Sequence, residues 1–94
     1  MKLNVDDYRK NKPFVVRIAI ENGLHTVSFV AANTGIPVLA ILHFIAEDIG
    51  YTKEILLHIK KVMHFYKYTH ISGTADIDIE AELAKLEQEE FDNN

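Results

Sequence analysis

The chain contains no cysteine. That excludes a disulfide framework, a thiolate nucleophile and a cysteine-ligated zinc. Its four glycines and two prolines are scattered singly, so there is no glycine-rich loop of the kind that cradles phosphate. Ser28 and Ser72 lack the glycine-flanked elbow of a hydrolase nucleophile. Five histidines are present, but no two stand three or four residues apart, the spacing a helical metal pair needs. The acids gather near the C-terminus, where nothing desolvates them into general acids. No stretch has the apolar core of a signal peptide, and the most apolar segment, 36–46, is too short to span a bilayer. The expectation is a cytoplasmic protein that is not an enzyme, with no metal, no cofactor and no membrane partner.

What is present suits one small globular unit. Of 94 residues, 48% are hydrophobic and 26% charged, enough for a single modest core. The net charge of −4 is unevenly spread. Residues 1–75 carry nine lysines and arginines against six acids, whereas residues 76–94 carry eight acids and one lysine. A mildly basic body with an acidic tail is compatible with nucleic-acid binding. The division expected is a helical domain over 1–75 with a short basic N-terminal arm (Arg9, Lys10, Lys12), followed by an acidic helix or tail over 76–94.

The most informative stretch runs from Thr26 to Ile45. Thr26 offers a side-chain oxygen to cap a helix, and Val27, Val30 and Ala31 follow at helical spacing. Gly35 stands where that helix must stop and the backbone turn, and Pro37 where the next begins. Ile41, Phe44 and Ile45 supply the second helix with an apolar face. Ala31 is small where the two would cross. These are the features of a helix-turn-helix.

On those residues, 26–68 resemble the DNA-binding headpiece of lactose-repressor-type regulators. Thr26, Val30-Ala31 and Gly35-Ile36 stand where that family opens its first helix, closes its inner face and turns, and a later helix ends in the aromatic Tyr68. The resemblance implies a helix-turn-helix whose second helix enters the major groove. Thr26 and Ser28 would then bond phosphates, and Val38, Leu39, Leu42 and His43 would form the exposed reading face. The family carries polar residues early in that helix. Here only His43 is polar, and aliphatics can touch thymine methyls but discriminate little between bases.

Residues 13–23 read in two ways. As a helix, Pro13 opens the segment, Phe14, Val15, Ile18 and Ala19 are its buried face, and Asn22-Gly23 ends it. As a strand, Phe14, Val16, Ile18 and Ile20 alternate, and Asn22-Gly23 is a hairpin turn. The second reading leads to a ubiquitin-like β-grasp with a hairpin over 14–31 and a helix over 36–49, a segment that resembles the helix of ubiquitin-fold modifiers. A β-grasp needs further strands, and 51–68 does not look like one. The fold expected is therefore mainly α, a helix-turn-helix domain of about five helices with a short β wing near 68–79; the β-grasp is the alternative.

Residues 51–68 predict a long helix capped by Thr52. Ile55, Ile59, Val62 and Tyr66 form its seam, widened by Leu56 and Met63. Lys53, Lys60, Lys61, His64 and Lys67 make a basic stripe suited to phosphates. Leu57 and Phe65 fit neither face, as at a dimer contact. Further on, Ile79, Leu83 and Leu86 share one face of an acidic helix. Two functions follow as expectations. One is a dimeric DNA-binding regulator using Thr26, Ser28, Val38, Leu39, Leu42, His43, Lys53, Lys60, Lys61 and Lys67. The other is a non-catalytic module that binds a protein partner through the Leu39/Leu42 face.

Overall fold

A computed structural model describes residues 2–67, 70–72 and 79–92. The fold is mainly α. A short strand β1 (Lys2–Asn4) leads through a 3₁₀ turn (Val5–Asn11) into helix α1 (Lys12–Asn22). A second 3₁₀ turn (Leu24–Thr26) opens α2 (Val27–Thr34), followed by α3 (Val38–Ile49) and α4 (Lys53–Tyr66). Strand β2 (His70–Ser72) and helix α5 (Ile79–Asp92) complete the described chain.

Segment 13–23 is helical, which removes the β-grasp. Pro13 lies in the first turn of α1, where its missing N–H costs nothing, and Gly23 ends the helix at φ +96°. The buried face is Val15, Val16 and Ala19, rotated from the expected one. Phe14 and Ile20 are exposed, so neither the helical assignment of Phe14 to the core nor the strand alternation holds.

The α2–turn–α3 unit forms as expected, with local differences. Gly35 takes a left-handed φ of +77° and returns its N–H to Ala31 O at 2.9 Å. Thr34 stitches the same turn: its hydroxyl donates to Val30 O at 2.8 Å and accepts from Ile36 N at 3.2 Å. Pro37 sits one residue before α3, at its N-cap. Thr26 holds the N-cap position of α2 but does not cap it. The preceding 3₁₀ turn already places Thr26 in helical backbone, so its hydroxyl donates backward to Gly23 O at 2.7 Å.

Helix α3 is the axis of the core. It packs against α1, α2, α4 and the first 3₁₀ turn, and every residue from Leu39 to Ala46 is buried. A helix surrounded on all sides has no solvent face left to read DNA. Helix α4 is capped as expected, Thr52 Oγ1 accepting from Ile55 N at 3.2 Å, and buries Ile55, Leu56 and Ile59. Its Leu57 and Phe65 are exposed, as anticipated, but Tyr66 at the end of the seam is half-exposed. Helix α5 packs on α4 through Leu83, with Ile79 and Leu86 half-buried beside it.

The N-terminal segment is not an arm. Leu3 and Val5 are buried in the core. Strand β1 pairs in parallel with β2, Leu3 opposite Ile71. The strand expected near 68–79 is thus present at His70–Ser72, with the N-terminus as its described partner. The rest of the expected wing, 68–69 and 73–78, lies outside the described residues, and Ile79 begins α5. Arg9 and Lys12 are also engaged. Arg9 Nη1 meets Glu47 at 2.9 Å, its Nε meets Asp6 at 2.7 Å, and its guanidinium lies 5.3 Å from the centre of the Phe44 ring. Lys12 Nζ is 3.3 Å from both Glu47 and Asp48. Two of the three basic residues expected on an arm, Arg9 and Lys12, instead meet the C-terminal half of α3, and Lys10 is exposed.

Candidate functional site

The expected DNA-reading face is not on the surface. Leu39, Leu42 and His43 are 0%, 1% and 2% exposed, and Val38 is half-buried. The physical reason is the packing of α3. The faces that carry Leu39, Leu42 and His43 are all taken by neighbouring elements. The same burial takes Leu42 out of a partner's reach in this fold, while Leu39 lines the groove described below. Thr26 is half-buried and spends its hydroxyl on Gly23, while Ser28 is exposed. Lys60 and Lys61 lie exposed on α4 and Lys67 just past its end, with Lys53 half-buried at its start.

His43 is explained by Tyr51. The Tyr51 hydroxyl is hydrogen-bonded to His43 Nδ1, and the two rings meet edge to face with centroids 5.5 Å apart. Burial pushes the imidazole below its ordinary pKa; Glu47 pulls it up and Arg9 down, and burial prevails. Burial, with the Glu47 charge, likewise pushes Tyr51 up to about 12. For Glu47 itself burial acts upward, but Arg9 and Lys12 together outweigh it and hold the carboxyl below its usual value. His43 is a satisfied core histidine.

This has a consequence for pH. Folded His43 resists its proton, so the unfolded chain protonates first. Its contribution to stability is complete above about pH 6.5 and declines as pH falls below that value, by at most about 1.4 kcal/mol per unit. Glu47, also depressed, adds to the loss only at lower pH, through its own carboxylate range. Urea unfolding at pH 7.0 and pH 5.5 should therefore show a larger drop for the wild type than for His43→Gln. Equal drops would mean that His43 titrates alike in both states.

The open feature of this region is a groove of about 420 Å³ between α2, the turn, the start of α3 and the end of α4. Ser28, Ala31 and Ala32 come from α2, Gly35, Ile36 and Pro37 from the turn, Val38 and Leu39 from α3, and Val62 and Tyr66 from α4. Of the expected site residues the fold thus gathers Ser28, Val38 and Leu39, and leaves Leu42 and His43 in the core. Among the described residues no lysine, arginine, aspartate or glutamate lines the groove, and the polar side chains that do are the hydroxyls of Ser28 and Tyr66.

The two helices that wall it each carry an exposed ring. Phe29, next to Ser28 on α2, is 72% exposed. Phe65 is 74% exposed and packs edge to face on Tyr66, centroids 4.8 Å apart. Ala32, Val62 and Phe29 were not expected as site residues. Only Phe29 carried a signal, as an aromatic on the side of its helix away from Val27, Val30 and Ala31. Among the described residues no cluster of three or more histidines, acids or cysteines is placed to hold a metal, and no helix is long and apolar enough to cross a membrane. Comparison with family models, with curated proteins and with solved structures gives no match in any of the three.

Proposed function

We propose that this chain is a non-catalytic protein-interaction domain, and that the groove between α2 and α4 is its receptor surface. The observation that carries the reading is an apolar groove, uncharged among the described residues, between two helices that each also expose a large ring, Phe29 on α2 and Phe65 on α4. Aromatic side chains are enriched at protein interfaces, and exposed ones on both walls of a concavity are unusual on a solitary surface. The fitting occupant is an apolar side chain, aromatic or branched aliphatic, carried on a protein segment. A phosphate or carboxylate entering the groove would lose water and meet no cation.

The test uses a side-chain mimic. N-acetyl-phenylalanine amide, titrated to several millimolar, is expected to shift the amide resonances of Ala31, Ala32, Gly35, Val38 and Val62, with a Kd of about 1 mM for a ligand of that size. Ala32→Trp, an exposed position that would fill the groove, is expected to abolish those shifts. Shifts that are absent, or that fall elsewhere on the surface, would overturn the reading.

A second reading keeps DNA as partner, supported by the α4 lysines. Lys53 and Lys60 are seven residues apart and so share one stripe of the helix, beside exposed Lys61, and Lys67 follows at its C-cap. With the α3 face buried, such contact would be to phosphates alone and blind to sequence. Duplex binding at low salt that disappears in Lys60→Ala/Lys61→Ala would favour it, and no binding at low salt would end it.

A further inference from the structure

The joint between α1 and α2 holds a reactive pair of residues. Asn22 is exposed at the end of α1, and it is the one asparagine in the chain followed by glycine. Asn4, Asn11 and Asn33 precede residues with a Cβ, which crowds the amide nitrogen that follows the asparagine. The N–H groups of Gly35 and Gly50 return to Ala31 and Ala46, whereas that of Gly23 returns to no carbonyl among the described residues. The Gly23 carbonyl accepts from Thr26 N at 3.1 Å and Thr26 Oγ1 at 2.7 Å, which fixes the turn. That turn lays the His25 ring against Gly23: a Cβ placed there would stand 2.9 Å from His25 Nδ1. We infer that Asn22, Gly23 and His25 form a self-deamidation site, in which the Gly23 nitrogen attacks the Asn22 side chain and His25 takes the proton.

The reaction needs only water. The Gly23 nitrogen gives its proton to the His25 imidazole and bonds to Asn22 Cγ, closing a five-membered succinimide. The Cγ–Nδ2 bond breaks, and that nitrogen leaves as ammonia with the proton the imidazole carried. Water then opens the ring at one of its two carbonyls. Cleavage of the new N–Cγ bond leaves an aspartate at position 22. Cleavage at the main-chain carbonyl leaves an isoaspartyl linkage, which adds a carbon to the backbone. Over both steps one water enters and one ammonia departs, with no change of oxidation state.

Place in the fold favours the attack. Asn22 closes its helix, and helix ends fray, so its own torsions can rotate without opening the interior of α1. Gly23, lacking a Cβ, follows those rotations freely. What holds Asn22 back is one exposed bond, from its Nδ2 to Ile18 O at 2.8 Å, and such a bond is worth little in water. The product is not neutral for the fold. A carboxylate at position 22 loses that bond, stands beside Glu21 and meets the negative end of the α1 dipole. Helix α1 packs on both the 24–26 turn and α2, so its last turn is part of their support.

Intact folded protein held at 37 °C and pH 7.4 and sampled by mass spectrometry reads each event as the one-dalton gain of an amide turned to an acid. Peptide fragmentation then places it. Asn22 is expected to convert first, while Asn33, whose Nδ2 also bonds back along its helix to Phe29 O at 2.8 Å, stays intact. Asn22→Gln should remove the event, because its ring would be six-membered. His25→Ala, at an exposed position, should keep its circular dichroism. It should slow conversion about threefold to tenfold, short of the roughly 10²-fold that a base positioned in an enzyme supplies. Between pH 6 and pH 8 the variant's rate should rise in proportion to hydroxide, and the wild type's less steeply. Fully converted protein is expected to melt several degrees lower. Conversion that begins at another asparagine would overturn the site, as would conversion of Asn22 only after urea has unfolded the chain. A rate and pH profile unchanged in His25→Ala would overturn the role of its ring.

Discussion

Leu42→Asp should leave no folded protein at 25 °C. Leu42 is 1% exposed within α3, which has neighbours on every side. A carboxylate there would lose its water without gaining a counter-ion, a cost of several kcal/mol even after relaxation. The leucine's own burial is lost as well. A domain of this size has a total stability of roughly 5–14 kcal/mol, so the substitution removes most or all of it. Leu42→Ala gives the graded version, a loss of about 2–5 kcal/mol in urea unfolding. Far-UV circular dichroism decides the first case. A folded Leu42→Asp, or a Leu42→Ala within about 0.5 kcal/mol of wild type, would match a solvent-exposed reading face instead.

Deleting residues 1–11 should cost nearly as much. A solvated arm could be removed at no cost, but here Leu3 and Val5 are buried and Arg9 bridges to Glu47 on α3. Burying each of the two aliphatic side chains is worth about 1.5–3 kcal/mol, and the deletion also uncovers the surface they cover. The ion pairs add little, being partly exposed. A loss of at least about 4 kcal/mol lowers Tm by roughly 15 °C or more. Val5→Ala alone, which leaves the ion pairs in place, should lower it by several degrees. An unchanged melting curve for the truncated chain would restore the arm.

These two results mark where the sequence was legible and where it was not. The helix boundaries are written in local punctuation. Pro13 and Asn22-Gly23 bracket α1, Gly35 turns the chain between α2 and α3, and Thr52 caps α4. Each acts through backbone geometry or one hydrogen bond, so neighbouring residues suffice to find it. The exposure of Leu57 and Phe65 was legible for a related reason, as departures from the α4 apolar seam. What covers a helix is decided elsewhere in the chain. The analogy with regulators placed Leu39, Leu42 and His43 outward by their position after the turn. A local signal opposed it, because 38–46 holds one polar residue in nine and so has no polar face. A helix of that composition is one that the core surrounds.

The site was less visible than the fold. Ser28, Val38 and Leu39 were singled out for a different role. The groove they line exists only because Val62 and Tyr66 arrive from more than twenty residues further on. The pairing of Lys2–Asn4 with His70–Ser72 is more distant still, and a parallel three-residue ladder leaves no turn signature between its strands. Residues 1–12 looked like an arm because they are rich in charge. Leu3 and Val5, two apolar residues among many polar ones, were the portion that mattered.

The central claim is that the start of α3 is walled in and that binding falls to the groove beside it. It is tested most directly by solvent paramagnetic relaxation with a neutral gadolinium chelate, read on assigned methyl and aromatic resonances of the intact protein. Leu42 methyls are expected to be as protected as those of Ile45, while the Phe29 and Phe65 rings relax fast and Val38 falls between. Leu42 methyls relaxed as strongly as Phe29 would contradict the claim and return α3 to the surface as a reading helix.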